Sequence, residues 1–256
     1  MQDFFVWEDK MLISKQGYEI PYIYEGNGSE KKIVIISHGF GSSKESPTAV
    51  TAAARFNEAG IGAVRYDHPA HGDSPVDGEY FRIENCLNDL ESVENMVAER
   101  FPDAEISYFS SSFGAFINLI YISTRSHRGT RSYLRCAAVD MPGIIKGWMS
   151  EEDIKEMDEK GYLVIDEDYV RPLKIVKGFC EDLEMIDLYK GFEPKGTKLL
   201  MIHGTDDETA PYEDSKAFAQ LYGIDLISVE GADHRFTPEG AMDIVREEAV
   251  RFINKI

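Results

Sequence analysis

The sequence predicts a single α/β domain: a mostly parallel sheet with helices on both faces, interrupted late in the chain by an inserted segment. Three observations lead there. Strand-like and helix-like periodicities alternate along the chain, the pattern of a parallel sheet covered on both sides. Residues 32–37 (KIVIIS) carry an unbroken apolar run, as a central strand buried on both faces requires. The alternation then stops between Met141 and Gly196, a stretch longer than one crossover helix and too long for a bare loop.

Taken in order, residues 10–14 and 17–25 read as an opening β-hairpin, followed by the buried strand 32–37. Residues 47–59 form a helix that stops at Gly60, and 61–66 form the next strand. Residues 83–97 carry apolar side chains at helical spacing (Ile83, Cys86, Leu87, Leu90, Val93, Met96, Val97), a stripe that must face a core. A strand at 105–109, a helix at 113–123 and a strand at 134–139 complete the first half. Residues 141–193 are expected to fold as a cap on a core made of 1–140 and 194–256. Within the cap, 150–160 read as an acidic helix and 161–165 as a β-like run. A strand at 197–202, a helix at 212–221, a strand at 225–229 and a terminal amphipathic helix at 239–254 close the chain.

The composition fits a soluble globular protein: 256 residues, 43% hydrophobic and 29% charged. No run approaches the roughly 18 apolar residues of a membrane helix, and the start MQDFFVWEDKMLIS lacks the basic, apolar and small-residue regions of a signal peptide. A cytoplasmic location is expected. Cys86, Cys136 and Cys180 show no metal-ligand or CxxC spacing and are read as reduced, mostly buried thiols. The net charge of −19 argues against nucleic acid and membrane surfaces as partners. It favours neutral substrates over polyanionic ones such as acyl-CoA, an inference that a locally basic pocket would overturn. The oligomeric state stays open, a homodimer included.

The chemistry begins at Ser110-Ser111-Ser112-Phe113-Gly114. A nucleophile elbow needs a strand, a tight turn and a helix, with small residues two before and two after the reactive one. Ser112 fits that frame better than Ser110 or Ser111, with Ser110 at −2, where glycine is usual, and Gly114 at +2. A base and an orienting carboxylate must follow in the order acid, then histidine. Residues 203–211 (HGTDDETAP) leave one strand with two adjacent acids, and 230–236 (EGADHRF) leave the next with a histidine. His234 alone follows the acid-bearing strand, whereas His203 precedes the acids and His127 sits in a polar loop. Asp207 is preferred by its place four before Pro211, with Asp206 as the alternative. An oxyanion hole requires donors aimed at the developing charge, and the Phe40 and Phe113 amides are the candidates, the first in the turn His38-Gly39-Phe40-Gly41. His68 and His71 lie in a segment (YDHPAHGDS) read as a structural turn, because no further ligand pattern supports a metal.

Together H-G-F-G, R-Y-D-H-P-A-H-G-D-S, S-S-S-F-G, I-H-G-T-D-D-E-T-A-P and G-A-D-H-R-F resemble the α/β-hydrolase superfamily. Within it the chain is similar to the bacterial cinnamoyl (feruloyl) esterase-like carboxylesterases, which carry a cap between strands six and seven. The resemblance implies an eight-stranded sheet with its second strand antiparallel, a triad of Ser112, Asp207 and His234, oxyanion donors at Phe40 and Phe113, and no metal or organic cofactor. It implies a small ester as substrate, with aromatic acyl groups suggested by Trp148, Tyr162, Tyr169, Phe179 and Tyr189 in the cap. Thioester or peptide hydrolysis on the same triad, and a silent binding protein on this scaffold, remain as alternatives. The elbow Ser-Ser-Ser-Phe-Gly-Ala departs from that branch's usual Gly-His-Ser-Gln-Gly-Gly.

Overall fold

The computed structural model describes residues 5–7, 11–166 and 169–255. Its strands are β1 (Phe5–Trp7), β2 (Leu12–Ile13), β3 (Glu19–Ile20), β4 (Tyr22–Gly26), β5 (Lys32–Ser37), β6 (Gly62–Tyr66), β7 (Glu105–Ser111), β8 (Gly129–Arg135), β9 (Tyr162–Ile165), β10 (Leu173–Val176), β11 (Lys198–Gly204) and β12 (Asp225–Val229). Its helices are α1 (Pro47–Glu58), α2 (Ile83–Arg100), α3 (Phe113–Thr124), α4 (Met141–Trp148), α5 (Glu151–Lys160), α6 (Lys177–Glu184), α7 (Tyr212–Tyr222) and α8 (Ala241–Asn254).

Eight strands join one sheet in the order β1-β4-β6-β5-β7-β8-β11-β12. The second, β4, runs antiparallel to both neighbours, and every pairing from β6 to β12 is parallel. Alternation along β5 splits the core in two. Ile33 and Ile35 pack with α2 and α3 on one face, while Val34 and Ile36 pack with α1 and α8 on the other. Burying both faces explains the continuous apolar run, each such side chain contributing roughly 1.5–3 kcal/mol. The opening hairpin is short: Leu12–Ile13 pair with Glu19–Ile20, whereas Tyr22–Gly26 joins the main sheet. Lys10, in the expected first strand, lies outside the described residues.

One strand sits elsewhere than expected. The apolar run 134–139 suggests a strand there, yet β8 ends at Arg135 and Cys136 turns away at φ 44°. The strand proper is polar, and its burial is satisfied by pairing: Arg131 with Glu105, Ser132 with Asn118. Ala137, Ala138 and Val139 are buried in the loop that follows it.

The stretch between β8 and β11 carries its own structure: α4, α5, a β9–β10 hairpin and α6. The acidic helix starts at a reciprocal cap, Ser150 Oγ accepting from the Asp153 amide at 3.1 Å and Asp153 accepting from the Ser150 amide at 2.9 Å. It ends at Gly161, whose φ of 80° suits glycine. Strand β10 and helix α6 went unread in the sequence. No helix among the described residues is long and apolar enough to cross a membrane.

Candidate active site

Strand β7 passes directly into α3 through Ser112, which holds φ 53° and ψ −117°. Such a conformation costs a non-glycine residue about 1–3 kcal/mol and persists only where the surroundings impose it. Here the Ser112 amide donates to the Arg135 carbonyl at 2.9 Å, and its own carbonyl accepts from Ala115 and Phe116 at the start of α3. Gly114 cannot carry a side chain, because a Cβ there would lie 2.5 Å from the His38 carbonyl oxygen and 2.6 Å from that of Ser37. Ser110, standing where glycine is usual, fits fully buried with its hydroxyl unpaired. That departure is accommodated at the expense of one buried unsatisfied hydroxyl, about 1–3 kcal/mol.

The loops after β11 and β12 bring Asp207 and His234 together. His234 Nδ1 lies 2.7 Å from Asp207 Oδ2. The other carboxylate oxygen accepts from the amides of Thr209 at 3.0 Å and Ala210 at 2.8 Å. Burial alone would raise the Asp207 carboxyl; contacts with His203, His234 and the Ala210 amide outweigh it and hold the group far below the carboxylate range. Asp206 is exposed and its carboxylate accepts from the neighbouring Thr205 hydroxyl at 3.2 Å; of the two acids, Asp207 is the one bonded to His234.

A second histidine completes this half, and sequence reasoning passed over it. His203 Nε2 sits 2.8 Å from the Ala210 carbonyl and 3.0 Å from Asp207 Oδ2. Both neighbours are acceptors only, so that nitrogen carries its proton. Its signal was the HG pair opening HGTDD; the demand for acid-before-histidine order hid it. Cys136, His203 and Asp207 form one group at metal-ligand spacing among the described residues. The chemistry fits a metal poorly: the imidazole nitrogen is protonated, both carboxylate oxygens accept N–H donors, and burial pushes the thiol strongly up. The trio reads as the hydrogen-bonded bed of the acid.

The turn after β5 lies against the elbow. A Cβ on Gly39 would stand 3.3 Å from Ser112 Cβ and 3.9 Å from Ser112 Oγ, so glycine lets this backbone approach the serine. Among the described residues neither the Phe40 nor the Phe113 amide donates a hydrogen bond within the protein. Both N–H groups are therefore free beside Ser112. The turn is buttressed by buried Asp67, which accepts from the Lys44 amide at 2.7 Å and pairs with Lys44 Nζ at 3.1 Å. His68 and His71 do serve the turn, and His38 joins them: ring centroids of His38 lie 4.7 Å from His68 and 5.4 Å from His71. His38 Nε2 accepts from the His68 amide at 3.1 Å.

Ser112 and His234 line one cavity of about 680 Å³, closed on one side by Trp148, Tyr169 and Val170 of the inserted stretch. No hydrogen bond joins Ser112 to His234, and both line the cavity. Gly41 marks the seam with the insert, since a Cβ there would meet the Tyr169 ring at 2.2 Å. Phe40 packs against Trp148 and Tyr169 at centroid distances of 5.9 and 6.0 Å. Of the five cap aromatics named from the sequence, Trp148 and Tyr169 reach this cavity. Phe179 stacks on Phe81 at 4.3 Å in the core, Tyr189 packs on Phe218, and Tyr162 lies under Lys174.

Comparison with known proteins agrees with the fold. Residues 28–152 match a family model described as serine aminopeptidase, S33. Among solved structures, a protein of Agrobacterium vitis S4 assigned to the hydrolases superposes with a TM-score of 0.82 at 19% identity, over 99% of this chain and 100% of its own. Est1E from Butyrivibrio proteoclasticus, with ferulic acid bound, gives 0.81 at 20% identity over 96% and 100%. The mouse alpha/beta hydrolase domain-containing protein 10 gives 0.75 at 18% over 98% of each chain. At such identities the likeness concerns the fold. No curated protein matches the chain.

Proposed function

We propose that this chain, a member of the α/β-hydrolase superfamily, is a serine carboxylesterase that works through an acyl-serine intermediate. The family model and the esterase among its structural relatives support a hydrolase at the level of the family. The observation that carries the finer reading is a strained Ser112 facing the same cavity as a His234 already bonded to a buried Asp207.

In this reading the ester carbonyl binds with its oxygen toward the Phe40 and Phe113 amides. His234 takes the Ser112 proton as Oγ attacks, and Asp207 holds the imidazole with Nε2 toward the serine and stabilises its charged form. Preorganised donors of this kind are worth about 10²–10³ in rate each. The alcohol leaves with the proton from His234. Water, deprotonated by the same ring, then releases the acid. Substrate closes the gap between Ser112 and His234, as catalytic contacts often tighten only in the complex.

The cavity size suits a small ester. Phe40, Trp148 and Tyr169 supply flat apolar walls that favour an aromatic group, and the relative holding ferulic acid points the same way. The test is turnover of 4-nitrophenyl esters by wild type and Ser112→Ala. Turnover in the wild type and its abolition in the variant are expected; full activity of Ser112→Ala would overturn the reading. The S33 match keeps peptides in view, and an aminoacyl 4-nitroanilide is expected to be the poorer substrate.

A further inference from the structure

Buried positive charges in this molecule follow one rule with one exception. Among the described residues, four cationic side chains are buried: Lys44, Arg65, Arg131 and Arg135. Lys44 pairs with Asp67 and Asp73, Arg65 with Glu25 and Glu45, and Arg131 with Glu105. Among the described residues, no carboxylate oxygen lies within 4 Å of the Arg135 guanidinium. Its Nη2 donates to the His234 carbonyl at 2.6 Å, its guanidinium lies 5.0 Å from the centre of the Phe236 ring, and its Nε is buried with no partner. A backbone carbonyl and a ring face compensate a buried cation only in part. In a chain of net charge −19, an acid to finish the job is the commonest thing to find nearby.

The location of Arg135 points to a role. Arg135 ends β8, its carbonyl accepts the Ser112 amide, and its side chain lines the same cavity as Ser112 and His234. Arg235, next to His234 and exposed, lines that cavity too and forms no ion pair among the described residues. Glu45, the acid that lines it among the described residues, is already engaged by Arg65 at 3.2 Å. Among the described residues the cavity is thus a basic spot in an acidic molecule.

We propose that the substrate is an ester bearing its own carboxylate, which Arg135 receives with Arg235 beside it. A planar guanidinium suits a carboxylate in a two-pronged hydrogen bond. The acidic exterior then acts as a filter, repelling anions except where the cavity takes one. This rests on the esterase reading above, and it reverses the expectation of neutral substrates drawn from net charge alone.

The experiment compares matched esters: 4-nitrophenyl monosuccinate against 4-nitrophenyl pentanoate, with the carboxylate on the acyl side, and 4-acetoxybenzoate against its methyl ester, with the carboxylate on the leaving group. Wild type is expected to prefer the anionic member of at least one pair by about 10- to 100-fold in kcat/KM. Arg135→Gln and Arg235→Gln are each expected to erode that ratio, with Arg135→Lys retaining part of it. Melting curves identify any variant that has not folded, and Arg235, being exposed, supplies a variant whose fold is not at stake. Preference for the neutral member of both pairs, or a preference that survives both substitutions, overturns the proposal. Turnover of none of the esters would fail the esterase reading instead. In that event an NMR titration with benzoate decides the anion site: shifts at Arg135 and Arg235 support it, and their absence overturns it.

Discussion

The loops after β11 and β12 hold Asp207 and His234 by hydrogen bonds, whereas the loops after β5 and β7 hold Ser112 and the Phe40 turn by backbone strain and close contact. In the first region each Asp207 oxygen has donors: Thr209 and Ala210 amides on one, His234 and His203 on the other. In the second, Ser112 sits at φ 53°, Gly114 leaves no room for a side chain, Gly39 lets its backbone close on Ser112, and among the described residues the Phe40 and Phe113 amides donate to no acceptor. The Asp207–His234 pair is bonded within the protein, whereas Ser112 and His234 share no hydrogen bond. In the proposed reading the difference locates the work of substrate binding: it would join Ser112 to His234 and fill the oxyanion hole, with the acid–base pair ready beforehand.

The comparison breaks most visibly at the acid. Asp207→Asn leaves the shape but supplies an N–H donor or a weaker acceptor to His234, and kcat is expected to fall by about 10⁴. Asp206→Asn is expected to retain activity near that of wild type, as measured on the same 4-nitrophenyl ester. Equal losses in the two variants would undo the assignment.

The elbow tests the other region through sterics. Gly114→Ala drives a methyl against two backbone oxygens at 2.5 and 2.6 Å, and overpacking of this kind costs about 1–3 kcal/mol. A lowered Tm and a lowered kcat/KM are expected together, because the clash shifts the strand that carries the oxyanion turn. A methyl tolerated with neither change would mean that the elbow is looser than its contacts imply.

A smaller and sharper effect concerns acid. Burial, aided by neighbouring positive charge, pushes His38 down to about 4 and His71 down to about 3, and it takes His68 well below the ordinary 6.5. Unfolded, these rings gain protons below pH 6.5; folded, they stay neutral until far lower. Unfolding therefore takes up protons in that window, and stability falls as the pH drops from 6.5 toward 4. Asp89, pushed up to about 7 by burial, opposes this, since it is protonated when folded and ionised when unfolded above pH 3.8; Asp214, also raised by burial, pulls the same way. The net is roughly one to two protons, each about 1.4 kcal/mol per pH unit. Urea unfolding between pH 7 and 4.5 measures it; stability that is flat or rises toward acid would show that the histidine cluster behind the oxyanion turn is not buried neutral.

What the sequence could reveal follows the same division. The candidates Ser112, Asp207 and His234 could be nominated because the proposed chemistry demands a chain order and a local frame, and Asp207 was preferred for its offset from Pro211; the structure bonds Asp207 to His234 and sets Ser112 on the same cavity as that histidine. The sheet was legible because β5 must be apolar on both faces. β8 was misplaced since its interior residues are polar and satisfied by partners far along the chain, Glu105 and Asn118, which no local pattern announces. Arg135 was invisible for a related reason. A lone arginine reads as surface until three other buried cations are seen to have acids and this one is seen to have none. The aromatic insert was over-read, because composition cannot say that Phe179 faces Phe81 while Trp148 faces the cavity.

The central claim is that Ser112, among all the serines of the chain, is the one made nucleophilic. Mass spectrometry after treatment with a fluorophosphonate tests it most directly. A single adduct on the peptide carrying Ser112, blocked by prior incubation with substrate and strongly slowed in Asp207→Asn, is the predicted result. An adduct on Ser110, Ser111 or a distant residue, or no adduct on folded protein, would contradict it.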